Sequence, residues 1–380
     1  MRESATSQPV LQGFTVLDLT QQLPGPYATQ LLVSLGARVV KVEPPGGDIA
    51  RILDPVMFAN VNAGKRSVVL DLKTESGRQA LRRIAAVSDV LVEGFRPGVA
   101  ARLGAGYADI AAIRPDIVYC SLSGYGAHGP YSAVPGHDLN YLGVAGGVSA
   151  VAGDGPDYIG VPTVDMASGT MACLAIIAAL MRRERSQTGA FLDVAMLDSA
   201  VYWTAVKPPQ MADGLSEAAY RVVRCSDGRA LSFAVLEDKF WQNLCRVLAW
   251  GDWIGDPALA THEQRRGRAA EIRSRLESTI STRPRNEWLP ILWEADVPVG
   301  PVHQFEDVPT DPQVRAREIF SVDTGAAAGA RLASPLPREL RSAPPGLPPA
   351  LGADTHSILA EVGLKPDASV AFGRSLGRTP

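Results

Sequence analysis

The sequence predicts an α/β fold: a mainly parallel sheet covered by helices, followed by a smaller α+β region. Three observations lead there. Short apolar runs alternate with helical patterns through the first half of the chain, the order that builds a parallel sheet with crossover helices. The runs are apolar almost throughout, as strands buried on both faces are. Beyond about residue 220 the texture changes to a hairpin followed by consecutive helices.

FTVLDL (14–19) is the first strand, and GPYATQLLVSLG (25–36) the helix after it. That helix starts near Pro26, where a missing backbone donor matters little, and stops at Gly36. ARVVKVE (37–43), SVVLDL (67–72), DVLVEGF (89–95) and DIVYCSLSG (116–124) are further strands, with the helix ESGRQALRRIAAVS (75–88) between the second and third of these. MASGTMACLAIIAAL (166–180) is short for a membrane span and runs into Arg182, Arg183 and Arg185, so it reads as a buried core helix. RVVRCSDGRALSFAV (221–235) reads as a hairpin around Ser226-Asp227-Gly228. EDKFWQNLCRVLAW (237–250), EQRRGRAAEIRSRLESTIS (263–281) and RNEWLPILWEADV (285–297) read as helices. The Pro-rich stretch 334–352 reads as an extended wrapping segment, THSILAEVGL (355–364) as a helix returning to the first domain, and the tail from Lys365 as loose. The expected division is a large domain over 1–205, a linker over 206–225, a small α+β domain over 226–310, and a return segment over 311–380.

Of 380 residues, 46% are hydrophobic and 20% charged, a soluble globular balance. The formal net charge of −3 gives no ground for nucleic acid or an anionic membrane as partner. Cys120, Cys173, Cys225 and Cys245 form no CxxC pair and no Cys/His zinc spacing, which suits a reducing, cytoplasmic setting and no metal. MRESATSQPVLQG at the start has no apolar signal core. No GxxxxGK[ST] loop occurs, LDLTQQLPGPYA stands where GxGxxG would follow a first dinucleotide-binding strand, and GxSxG is missing.

Two residues in small-residue settings draw attention. His137, in VPGHDLNYLGVAGG (134–147), is one of five histidines and opens a helix. Asp165, in TVDMASG (163–169), precedes an apolar helix. Taken alone, each is a helix cap or a proton-transfer group.

Many stretches, in order, settle more than either residue does. LQGFTVLDLT (11–20), PGPYATQLLVSLGARVVKVEPPGGD (24–48), AGKRSVVLDLK (63–73), DVLVEGFRPGVAARLG (89–104), RPDIVYCSLSGYGAHGPYS (114–132), SQTGAFLDVAMLD (186–198) and WLPILWEADVPVGPV (288–302) together resemble the class III coenzyme A transferases and racemases of CaiB/BaiF type. The resemblance covers nearly the whole chain. It implies a large Rossmann-like domain, a smaller domain, a homodimer interlinked like rings, and acyl-CoA thioesters as substrates with no other cofactor.

Two chemistries occur in such proteins. Transferases use an aspartate as an acyl-carrying nucleophile; α-methylacyl-CoA racemases move a proton at the carbon beside the thioester. PGHDLNYL (135–142) is similar to the racemase GHDINYL motif, and LEDKFW (236–241) to the stretch whose glutamate supports the histidine. The formyl-CoA transferase group carries a glutamine just before Ala-Gly-Pro, where this chain has Leu23, and a run of glycines not found here. The resemblance therefore favours a racemase or epimerase of 2-methylacyl-CoA, passing through an enolate. His137 and Asp165 would face each other across the α-carbon, with Glu237 supporting the histidine and the Asp138 amide donating to the enolate oxygen. As a plain structural residue, Asp138 would instead be a solvated helix-start acid whose side chain does nothing. The alternative is a CoA-transferase in which Asp165 forms an anhydride and then an aspartyl-CoA thioester. For the CoA portion the candidates are Arg96, just before a helix start in FRPG, with Lys41, Lys65, Arg66 and Lys73 as cations. Val69, Leu70, Asp71 and Leu72 would form an adenine-side strand, and Gly136 and Tyr141 are further candidates for contact with the CoA portion.

Overall fold

The computed structural model describes residues 8–148, 160–206, 217–322, 330–342 and 346–365. Two compact units make up the chain: 1–209 with 319–380, and 210–318. The second begins before residue 226 and ends after 310, because its first strand lies within the stretch expected to be a linker.

In the first unit the elements run β1 (Thr15–Asp18), α1 (Pro24–Ser34), β2 (Arg38–Glu43), α2 (Ala50–Leu53), α3 (Pro55–Asn62), β3 (Arg66–Val69), α4 (Glu75–Ala85), β4 (Val90–Glu93), α5 (Val99–Arg102), α6 (Tyr107–Ala111) and β5 (Val118–Ser123). They continue as α7 (Asp138–Val144), α8 (Thr163–Ser186), β6 (Ala190–Ala195) and α9 (Met196–Val206). The strands form one parallel sheet in the order β3-β2-β1-β4-β5-β6. Alternating residues serve alternate faces, as the two-residue repeat demands. Val16, Val39, Val90, Val92, Val118 and Cys120 join α1 and α8 on one side. Leu17, Val40, Leu91 and Tyr119 meet Leu81, Ile84 and Ile110 of α4 and α6 on the other.

β6 was not legible as a strand, because AFLDVA mixes exposed and buried positions at the sheet edge. Helix α8 is long and apolar enough to cross a membrane by length and composition, but half of its apolar window is buried inside the protein. It packs on α1 through Gly169, where an added Cβ would sit 2.6 Å from the Pro24 carbonyl oxygen.

The second unit holds β7 (Tyr220–Arg224), β8 (Ala230–Ala234), α10 (Asp238–Val247), α11 (His262–Gly267), α12 (Ala269–Ile280), α13 (Arg285–Glu294), β9 (Val299–Val302) and α14 (Pro312–Ala316). β7-β8-β9 is an antiparallel sheet, with the expected hairpin turning through Gly228 at φ +76°. The helix expected over 263–281 is broken at Arg268, after Gly267.

The chain then returns to the first unit through β10 (Phe320–Val322), β11 (Ala330–Leu332) and α15 (Thr355–Glu361). This return seals the edge strand β3. The Ser67 N–H donates to Asp354 Oδ2 at 2.9 Å, the Asp354 N–H to the Ser67 carbonyl at 3.0 Å, and the Val69 N–H to Thr355 Oγ1 at 3.1 Å. An otherwise open row of donors and acceptors is thereby satisfied. The tail beyond 365 lies outside the described residues.

Candidate active site

Strand order reverses between β1 and β4. Open α/β sheets bind ligands at such a point, outside the carboxyl ends of the strands. A cavity of about 500 Å³ opens there. Its walls come from the segments after β1 (Thr20–Gln22), β4 (Gly94–Pro97) and β5 (Leu122–Tyr125), joined by Gly136, His137, Asn140 and Tyr141 around the start of α7 and by Asp165.

The floor is built from buried charge. The Lys65 ammonium donates to Asp18 Oδ2 at 3.0 Å, Thr29 Oγ1 at 2.7 Å, Asn62 Oδ1 at 2.9 Å and the Pro26 carbonyl at 3.0 Å. Lys41 donates to the Thr20 carbonyl at 2.9 Å and pairs with Asp48 at 2.9 Å. Asp48 in turn accepts the Gln22 N–H at 3.1 Å. The loop carrying Gln21 and Gln22 is therefore pinned by two buried lysines, and Gln22 is held at φ +64°. Burial works to raise the Asp18 carboxyl, but the Lys65 and Lys41 charges and the Thr20 and Thr29 hydroxyls outweigh it and hold it well below the usual carboxylate range.

The wall after β4 is set by Glu93, whose carboxylate accepts the Phe95 N–H at 2.7 Å and so orients the turn bearing Arg96. Burial raises the Glu93 carboxyl. On the opposite wall the Tyr141 hydroxyl donates to the Gly136 carbonyl at 2.6 Å. The Tyr141 ring meets Tyr125 edge-on at 4.9 Å. Only glycine fits beneath that side chain: an added Cβ would come within 2.3 Å of the Tyr141 hydroxyl at Gly124 and 2.8 Å of the ring at Gly136. The His137 N–H donates to Asn140 Oδ1 at 2.9 Å, which fixes the first turn of α7.

Asp165 lies in the first turn of α8 and faces this cavity. Burial, reinforced by the charge of Asp138, pushes its carboxyl up to about 7. At neutral pH it divides between acid and carboxylate.

The structure thus brings His137, Asp165, Arg96, Gly136 and Tyr141 to one cavity. Asp138 lies behind it: its side chain is 5% exposed rather than solvated, and it accepts the N–H groups of Val164 and Asp165. Three expected cations are placed elsewhere. Lys41 and Lys65 are buried in the floor, their ammonium groups committed to Asp48 and Asp18, so neither presents charge to a phosphate. Arg66 is tied to Asp354, Ser357 and Glu361 of the return segment. Val69 and Leu70 are buried, and Asp71, Leu72 and Lys73 follow the end of β3 at the same edge of the sheet as the cavity, Lys73 being exposed. Glu237 belongs to the second unit, where its carbonyl accepts the Trp241 N–H at the start of α10.

Sequence reasoning missed Asn140, Gln21 and Gln22. The signal for Asn140 was its spacing three residues after His137, where a side chain reaches back to the capping amide. Gln21 and Gln22 stand just before Leu23, so the argument from a missing glutamine overlooked amides at the same cavity. All four cysteines are free and buried. Among the described residues no three His, Cys, Asp or Glu side chains converge as metal ligands.

Comparison with known proteins bears on this geometry. The model of CoA-transferase family III matches residues 11–355. A probable fatty acyl-CoA transferase of Mycobacterium tuberculosis is 33% identical over 341 residues, covering 81% of this chain and 86% of that protein. An acetyl-CoA:oxalate CoA-transferase of Acetobacter aceti is 33% identical over 343 residues, covering 84% and 88%. The crystal structure of a CaiB/BaiF family protein from Brucella suis superposes with a TM-score of 0.82 at 31% identity, covering 93% of this chain and 99% of that one. The chain belongs to CoA-transferase family III.

Proposed function

We propose that the protein is an acyl-CoA:carboxylate CoA-transferase with Asp165 as its nucleophile. The observation that carries this is the placement of Asp165: a carboxyl in the first turn of a long helix, open to the cavity at the strand-order reversal and pushed upward by burial. The transferase names of the relatives support it against the racemase that the sequence motifs favoured.

In the first half-reaction a carboxylate oxygen of Asp165 attacks the thioester carbonyl, the C–S bond breaks, and CoA leaves as thiolate. The thiolate then attacks the Asp165 carbonyl of the mixed anhydride and expels the donor acid, leaving an aspartyl-CoA thioester. An acceptor carboxylate reverses both steps and takes CoA away, so no proton is consumed overall. Arg96, which lines the cavity, would receive an anionic group of either substrate. Exposed Lys73, after the end of β3, would meet the nucleotide end. A homodimer is the expected assembly.

The test is incubation with acyl-CoA and hydroxylamine, followed by peptide mass spectrometry. A hydroxamate at residue 165, together with acid-dependent exchange of CoA between acyl groups, is the expected result. Absence of both would remove the transferase.

A second reading keeps one observation of its own: His137 lines the same cavity as Asp165. In a racemase the two would exchange the α-proton, with Glu237 in support and the Asp138 amide on the enolate oxygen. Uptake of deuterium at the α-carbon of a 2-methylacyl-CoA, abolished by His137→Ala, would favour it; transfer unaffected by that variant favours the first.

A further inference from the structure

Helix α8 begins at Pro162, which offers no side-chain cap to the donors of its first turn. The cap comes instead from another helix. One oxygen of the Asp138 carboxylate, at the start of α7, accepts the Val164 N–H at 2.6 Å and the Asp165 N–H at 2.9 Å. We propose that Asp138 is a positioning residue acting through Asp165: its carboxylate clamps the first turn of α8 by these two amides and sets a negative charge beside the reacting carboxyl. The proposal rests on Asp165 being the group that reacts.

The clamp has two consequences. It ties α8 to the element that carries His137, Asn140 and Tyr141. It also opposes the helix N-terminus. Left alone, the first-turn amides would favour an ionised Asp165; the Asp138 charge and burial push the other way. A carboxylate that is a stronger base is also a better nucleophile towards a thioester.

Other titratable groups lie on the elements packed against α8. α7 and its cap bring His137 and Tyr141, and α1 brings Tyr27. β5 carries Cys120 on the face that α8 covers, β6 carries Asp193, α9 carries Asp198 and Tyr202, and Arg96 stands in the cavity wall. The charge that bears on Asp165 is that of Asp138.

Two variants separate the clamp from the charge. Asp138→Asn keeps an oxygen for both amides and removes the charge; Asp138→Ala removes both. Carboxyl-carbon NMR titration of the full chain, with Asp165 assigned through Asp165→Asn, should show the wild-type midpoint near 7. In Asp138→Asn it should fall, and the acid limb of kcat/KM should move with it. Asp138→Ala should in addition lose about a hundredfold in kcat through misplacement, with faster amide exchange at Val164 and Asp165. If Asp138→Ala fails to fold, Asp138→Asn decides alone. An unmoved Asp165 midpoint in a folded Asp138→Asn overturns the proposal. Hydroxamate at residue 165 with an unmoved midpoint in Asp138→Asn, and with kcat and amide exchange unchanged in Asp138→Ala, sinks the positioning role and keeps the transferase; a moved midpoint without any hydroxamate does the reverse.

Discussion

Under the cavity the first unit buries charge, whereas at its centre the second unit buries tryptophan. Asp18, Lys41, Asp48 and Lys65 are each at most 4% exposed, and every one is paired. In the second unit Trp241, Trp250 and Trp253 lie 5.0–6.3 Å apart between ring centroids, inside a cluster of Leu, Ile and Val. Cations there rest on ring faces, as Arg275 does over Trp253 at 4.3 Å. Buried ion pairs seldom outperform apolar packing as stabilisers, while breaking one is expensive. The difference teaches that the two lysines serve geometry: they hold Thr20, Gln21 and Gln22 at the cavity, a task an apolar floor could not do.

The contrast can be broken at several points. The largest effect falls on the reacting carboxyl. Asp165→Asn should reduce transfer by about a thousandfold or more, measured as kcat with the fold checked by circular dichroism. The same change should stabilise at alkaline pH. A carboxyl raised in the folded state contributes stability that is complete below the unfolded value and is lost as pH rises through about 7. Wild type should therefore weaken between pH 5 and 8 by about 2 kcal/mol, after allowance for the solvent that still reaches the group, and Asp165→Asn should not; urea titrations at both pH values check this.

Next comes the floor. Lys65→Met strands Asp18 as an unpaired buried carboxyl and should destabilise by about 3–5 kcal/mol, read from chemical denaturation. Adding Asp18→Leu should restore most of that stability but not kcat/KM. Full activity in the double variant would mean that the charges do not position the loop.

The third effect is acid lability. Asp18 and Glu43 are held low by their cationic and hydrogen-bonding partners against the opposing pull of burial. Their contribution is present above the unfolded carboxyl value near 4 and is lost as pH falls through the folded values. Thermal melts from pH 5 to pH 2 should drop steeply for wild type and less for the Lys65→Met, Asp18→Leu double variant. The smallest effect belongs to the second unit. Arg275 lies over Trp253 but is partly solvated and paired with exposed Asp252. Arg275→Ala should cost about 1 kcal/mol and leave kcat/KM unchanged.

Much of this was legible in the sequence. Five of the six sheet strands, the hairpin at Gly228, the core helix at 166–180 and the cavity residues His137, Asp165 and Arg96 follow from local pattern or ordered motifs. Pattern does not tell a lysine that will be buried from one that will meet a phosphate. Lys41 and Lys65 sit on or beside strands either way, and only the partner, Asp48 or Asp18, decides. Arg66 was likewise unreadable, because its partners lie almost three hundred residues away in α15.

The sequence by itself determined the alternation of strands and helices, the family, and the choice of His137 and Asp165 as candidates that the fold brings to one cavity, since each is written in contiguous residues. The tertiary structure decided which charges face the cavity, that Gln21 and Gln22 reach it, and that Asp138 caps a helix other than its own. Those outcomes depend on contacts between segments far apart in the chain, where burial and the nearest opposite charge, rather than local propensity, fix the state of each group.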